Sequence, residues 1–150
     1  MATLWPKELP RHTDSEGEKK VYKALKSGLP KGWQAWHSLR IRSRKSGRFS
    51  ETDFVIADPS KPALLILEVK GGLIEASDGR WYQNGHPMDL PPLNQALSFR
   101  SLLVERFKQR NIDAPKSGVL FVFLMPSSKK VRRETTLKGW SSVKKIFPTL

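Results

Sequence analysis

The stretch TDFVIADPSKPALLILEVKGG, Thr52 to Gly72, decides the fold. Two apolar runs, TDFVIA (Thr52 to Ala57) and ALLILEVK (Ala63 to Lys70), flank DPSKP, Asp58 to Pro62, whose two prolines cannot continue a strand. The pattern reads as a β-hairpin. The second run ends unusually for a buried strand: a carboxylate, Glu68, and an amine, Lys70, stand two residues apart and therefore share one face. If the turn is symmetric, Ala57 faces Leu64 and Asp53 lies opposite Glu68. Directly opposed residues bring their Cβ atoms to about 4.5–5.5 Å, where like charges are destabilising. Two carboxylates that close share a proton or hold a cation. An all-oxygen pair suits Mg²⁺ or Mn²⁺ better than zinc. The plainer alternative is a salt bridge from Lys70 to one carboxylate at the sheet rim, and spacing alone leaves both open. A register slip of one residue would send Asp53 to the other face.

Around this hairpin the sequence has 150 residues, enough for one domain with a real core and too few for two comfortable ones. A hydrophobic fraction of 38% with 9% aromatics argues for a folded globule rather than a disordered chain. Cysteine is absent, which excludes disulfides and thiolate metal sites. No apolar stretch of about 18 residues is present, and MATLWPKELPRH is too short and polar for a signal peptide, so the cytoplasm is the expected compartment, with no membrane partner. Lys+Arg 27 against Asp+Glu 14 leaves a net charge of +13. Such an excess favours a polyanionic partner, nucleic acid before a membrane. The basic residues are clustered. RIRSRKSGR carries Arg40, Arg42, Arg44, Lys45 and Arg48, and on a strand the first three would share a face to meet phosphates. A second cluster is KKVRR, Lys129 to Arg133.

Outward from the hairpin, residues 1–14 lack periodicity and read as an irregular arm. A helix is expected from Ser15 to Ser27, with Tyr22, Leu25 and Leu29 on its apolar side and Gly28 and Pro30 ending it. A strand follows over Trp33 to Ile41, then a polar loop, Ser43 to Ser50. Beyond the hairpin, GLIEA and RWYQNG read as short strands. A second helix is expected from Leu93 to Gln109 after Pro91-Pro92, then a buried strand, Gly118 to Met125, and a short helix from Glu134. Helix, three strands, helix, strand is a mixed sheet flanked by helices, an α/β architecture.

Other chemistries fit less well. His12, His37 and His86 lie in separate segments without ligand spacing. There is no phosphate-binding glycine loop and no serine elbow. Trp36, Trp81 and Tyr82 could stack on bases, but aromatics on strands are more often core.

Asp53, then Glu68-Val69-Lys70 at the end of the next strand, resembles the signature of the PD-(D/E)XK nuclease superfamily. SEGEKKVYKAL opening the first helix, TDFVIA, LLILEVKGG, Trp81 and LPPLNQA before the second helix resemble, within it, the nuclease-related domain (NERD). The resemblance implies a restriction-endonuclease-like mixed β-sheet over residues 15–126, with 127–150 a basic extension that could lead into a further domain. It implies a metal-dependent nuclease acting on DNA, with RNA not set aside, and similar domains occur fused to helicase or kinase modules. Asp53 and Glu68, with the Val69 carbonyl, would hold Mg²⁺, with Mn²⁺ able to substitute. Lys70 would activate water and hold the scissile phosphate, Gln95 would position Lys70 or substrate, and Glu18 would reach the metal from the first helix. Two departures bear on this. The acid stands in ETD rather than after a proline, so Glu51, read as pointing to the same side, competes with Asp53. Ser15-Glu16-Gly17-Glu18 also fits a helix capping box, which would occupy Glu18 at the backbone. The competing function is a nucleic-acid-binding module with a degenerate nuclease site.

Overall fold

The computed structural model of the chain describes residues 2–124. In chain order the elements are β1 (Thr3–Trp5), α1 (Glu16–Gly28), β2 (Gln34–Arg42), β3 (Phe49–Asp58), β4 (Ala63–Gly71), β5 (Ile74–Ser77), β6 (Arg80–Gln83), β7 (His86–Pro87), α2 (Pro92–Gln109) and β8 (Lys116–Leu124). The main sheet has the order β1-β2-β3-β4-β8, with β1 parallel to β2, β2–β3–β4 antiparallel and β8 parallel to β4. Strands β5, β6 and β7 form a second, three-stranded sheet. The expected α/β architecture is therefore present. The arm of residues 1–14 is not wholly irregular, since Thr3–Trp5 pairs with Gln34–Trp36 as an edge strand. Three residues whose ladder partner is distant in sequence leave no local pattern to read. Lys129 to Arg133 and the helix expected from Glu134 lie outside the described residues. Among the described residues, no helix is long and apolar enough to cross a membrane.

The hairpin holds the register inferred from its turn. Ala57 faces Leu64, and Asp58 faces Ala63 across the connection. Asp58 makes that turn: its Oδ1 accepts from the Ser60 backbone N–H at 2.9 Å and from the Ser60 hydroxyl at 2.6 Å, an Asx-turn that competes with strand continuation. These bonds also hold the Asp58 carboxyl below its ordinary pKa.

Two apolar layers cover the sheet. On one face α1 presents Tyr22 to Ala35, Phe54, Ile56, Leu65, Leu67 and Val69. On the other, α2 presents Ala96 and Phe99 to Val55 and Ile66. Ser15 caps α1 by accepting the Glu18 N–H at 3.2 Å, and the Tyr22 hydroxyl donates to the Pro6 carbonyl at 2.7 Å, tying down the N-terminal segment. Gly17 lets the first turn of α1 lie on β4, because a Cβ there would come within 3.1 Å of Val69 Cγ1. That close approach carries the neighbouring Glu18 toward the charged end of β4.

Candidate active site

The site forms where the regular ladders around β3 stop. The β3–β4 register ends at Phe54 and Leu67, and the β2–β3 register runs through every position except Ser38 opposite Asp53. Ser38 has φ 56, the left-handed region that costs a non-glycine residue about 1 kcal/mol or more. Its effect is visible in the packing. Ala35 belongs to the α1 layer, whereas Leu39 and Ile41 pack into the α2 layer, although strict alternation would put all three on one face. The sheet turns over at Ser38 and Asp53.

Freed from both ladders, Asp53 uses its side chain instead. Its Oδ2 accepts the Val69 backbone N–H at 2.6 Å, so the carboxylate bridges β3 to β4 just where cross-strand pairing ends. The inferred opposition of Asp53 and Glu68 is thus realised through a side chain, not through a backbone pair. Glu68 is fully buried, and neither carboxylate oxygen has a hydrogen-bond partner among the described residues. Burial, then the like charge of Asp53, pushes its pKa up to about 7, only partly offset by Thr52 and Lys70. Burial also raises Asp53, opposed by the Val69 N–H and reinforced by the charge of Glu18. Lys70 Nζ stands 3.6 Å from Glu68 Oε2, an ion pair longer than a hydrogen bond, and donates to Gln95 Oε1 at 3.1 Å. The salt bridge foreseen as the plainer alternative exists, but it leaves Glu68 unsatisfied.

Glu18 does not complete a capping box. Ser15 makes its half, while Glu18 Oε2 lies 2.8 Å from His37 Nε2. The His37 side chain is almost wholly buried, between Tyr22 and Phe54, and its Nδ1 has no partner among the described residues. Sequence reasoning set His37 aside as a lone histidine, since nothing in spacing links residues 18 and 37. The only available signal was its place on β2 opposite Phe54, which puts it under α1.

The other predicted residues sit on the hairpin of β2 and β3. Arg40 and Arg42 are exposed on β2, but Arg44 and Lys45 lie in the turn beyond it, so the three-arginine stripe is a two-arginine stripe with a basic tip. Arg48 immediately precedes β3. Glu51 does not share Asp53's side: it pairs with Arg40 Nε at 3.2 Å and accepts from the Ser38 hydroxyl, because the reversal at residue 53 turns it away. Trp36 packs into the α2 layer and Trp81 stacks on Phe123 with ring centroids 6.0 Å apart.

The donor set can be tested against a cation. Two buried oxygens without hydrogen bonds, beside a second carboxylate, are what a hard divalent ion would satisfy. Among the described residues no three of His, Asp and Glu converge as ligands, so the remaining positions would fall to a backbone carbonyl, water and substrate, as Mg²⁺ commonly accepts.

A mixed sheet between two helices, with an aspartate on one strand where its ladder to the next stops and a Glu-x-Lys near the end of that next, antiparallel strand, defines a restriction-endonuclease-like α/β domain. The family model for the nuclease-related domain matches residues 13–123, and the chain belongs to that family, NERD. No curated protein and no solved structure gives a significant match.

Proposed function

We propose that this nuclease-related domain hydrolyses phosphodiester bonds in DNA, using Mg²⁺, or Mn²⁺ in its place, held by Asp53, Glu68 and the Val69 carbonyl. The observation that carries the reading is Glu68, fully buried beside Asp53, with a 3.6 Å ion pair to Lys70 but no hydrogen bond to either oxygen among the described residues. A purely structural carboxylate in that position would be hydrogen-bonded or replaced, since a buried charge without hydrogen bonds is costly even beside an opposite charge. The bound cation would supply Lewis acidity, neutralising charge on the phosphate and lowering the pKa of water.

The chain's own groups do the rest. Asp53 is held in place by the Val69 N–H. Lys70, steadied by Gln95 and Glu68, keeps donors free to orient the attacking water and to hold a phosphate oxygen, where charge develops in the transition state. Glu18, fixed by His37, adds negative charge close to Asp53 from the α1 side. The basic hairpin, with Arg40, Arg42, Arg44, Lys45 and Arg48, provides cations for the phosphate backbone.

The experiment is incubation of linear and circular DNA with the protein in Mg²⁺, in Mn²⁺ or in chelator. Metal-dependent loss of substrate is expected, and circular substrate separates internal from terminal cutting. A second reading, a nucleic-acid-binding module without turnover, draws support from the raised pKa of Glu68, because a carboxyl half protonated near neutrality is a weaker ligand. DNA binding with no cleavage in either metal would favour it.

A further inference from the structure

We propose that Phe49, together with the guanidinium groups of Arg40 and Arg42, is a stacking platform for an unpaired base, which makes single-stranded DNA the preferred substrate of the hairpin. The inference rests on the reading of the chain as a DNA-acting domain and adds a substrate class to it.

Phe49 opens β3 and is 61% exposed. Exposure of one apolar residue means little by itself. Its neighbours make the difference. Arg40 Cζ lies 5.0 Å and Arg42 Cζ 5.7 Å from the Phe49 ring centroid, both within cation–π range. Both guanidiniums are held in place. Arg40 is paired with Glu51 at 3.2 Å, and Arg42 Nε donates to the Gly47 carbonyl at 3.2 Å. The strand carrying them is braced by Arg106 Nη2, which donates to the Arg42 carbonyl at 2.5 Å. The result is a solvent-exposed aromatic ring flanked by two guanidinium groups.

The turn beside them adds Arg44, Lys45 and Arg48. Stacking surfaces interleaved with cations are the combination that binds single strands, where aromatic rings take base faces and cations follow the phosphates. A duplex can use only the cations, because its base faces are buried in its own stack. Phe49 lies four residues along β3 from Asp53, about 13 Å, on the side to which Glu51 and Arg40 turn, so the ring bears on which nucleic acid the hairpin binds and not on its path to the carboxylates.

The test measures binding by the full chain in chelator, so that no cleavage is needed. Affinities for labelled oligo(dT) and for a duplex are compared in wild type, Phe49→Ala and Phe49→Trp, with thermal melting to verify that each is folded. Phe49→Ala should lower the oligo(dT)-to-duplex affinity ratio about tenfold, the lower range for one base stacked on a ring. Phe49→Trp should keep or raise it. Fluorescence of 2-aminopurine placed in the oligonucleotide should be quenched by wild type and Phe49→Trp, and much less by Phe49→Ala. An unchanged ratio in Phe49→Ala overturns the proposal. So does an equal loss on both substrates with a shallower salt dependence, which would mean that Phe49 only orders the arginines. A chain that shows the Phe49-dependent ratio yet never cuts DNA keeps this inference and loses the nuclease reading. Metal-dependent cutting with an unchanged ratio does the reverse.

Discussion

In the metal-free protein, Glu68→Gln should gain stability relative to the wild type as the pH rises. Glu68 is fully buried and its pKa stands at about 7 against an ordinary 4.5. A raised carboxyl binds its proton more tightly in the folded chain than in the unfolded one. Its contribution is therefore most favourable below the unfolded value and is lost as pH rises through the folded one. The gap between the two values is worth about 3 kcal/mol at roughly 1.4 kcal/mol per pH unit, a cost borne in full above the folded pKa. Glutamine keeps the shape without the titration. Any fixed cost of burying its amide cancels when two pH values are compared, and Asp53 is common to both proteins. Between about pH 5.5 and about pH 8 the stability difference should widen by about 2 kcal/mol in favour of the variant. Urea unfolding followed by tryptophan fluorescence, in chelator and with matched ionic strength, measures this. A constant offset across that range would refute the reasoning, because it would show that Glu68 is not held protonated by its surroundings. Adding Mg²⁺ at the alkaline end should raise the wild-type transition and leave the variant's almost unmoved.

Lys70→Ala should abolish metal-dependent cleavage while leaving the melting curve and DNA affinity largely intact; cleavage at the wild-type rate, with contaminating nuclease removed, would reject the catalytic assignment. Replacing Arg40, Arg42 and Arg44 together should flatten the log–log salt dependence of duplex binding by about two to three units if each meets a phosphate. An unchanged slope would place the duplex elsewhere. Glu18→Gln retains a side chain able to bond His37, so melting should hold while cleavage falls about tenfold or more, about 1.4 kcal/mol of barrier. Undiminished cleavage by that variant removes Glu18 from the site.

Several parts of the site could be read from the chain because they depend on local chemistry. Asp58, with prolines after it, forces a turn whose register follows from its length, and register then carries Glu68 and Lys70 to one face. Helix α1 announced itself by its cap and apolar spacing, and the observed Glu16–Gly28 differs by one residue at each end from the expected span. Lys70 and Gln95 were not legible as a hydrogen-bonded pair from spacing. Their order along the chain resembled a family, but only the packing of α2 on β4 brings them to 3.1 Å. The errors are local in origin as well. Arg44 and Glu51 were misplaced by extending perfect alternation through residues that break it.

What the sequence determined by itself is the hairpin, its register, the apolar faces that take the two helices, and a carboxylate and an amine left at the end of a buried strand. Those features follow from short-range sterics and from period-two and period-3.6 burial, which any single sequence displays. The tertiary structure decided the remainder. Ser38 in the left-handed region reverses the sheet's faces, so that Glu51 turns to Arg40 while Asp53 reaches the Val69 N–H. The close seat of Gly17 on Val69 delivers Glu18 to a histidine that spacing gave no reason to notice. A positive φ at a serine is not favoured by its own chemistry, and a contact between residues far apart in sequence has no local signature. Both exist because the packing of helices on both faces of one sheet makes the strain and the pairing the lowest-energy arrangement for the whole chain.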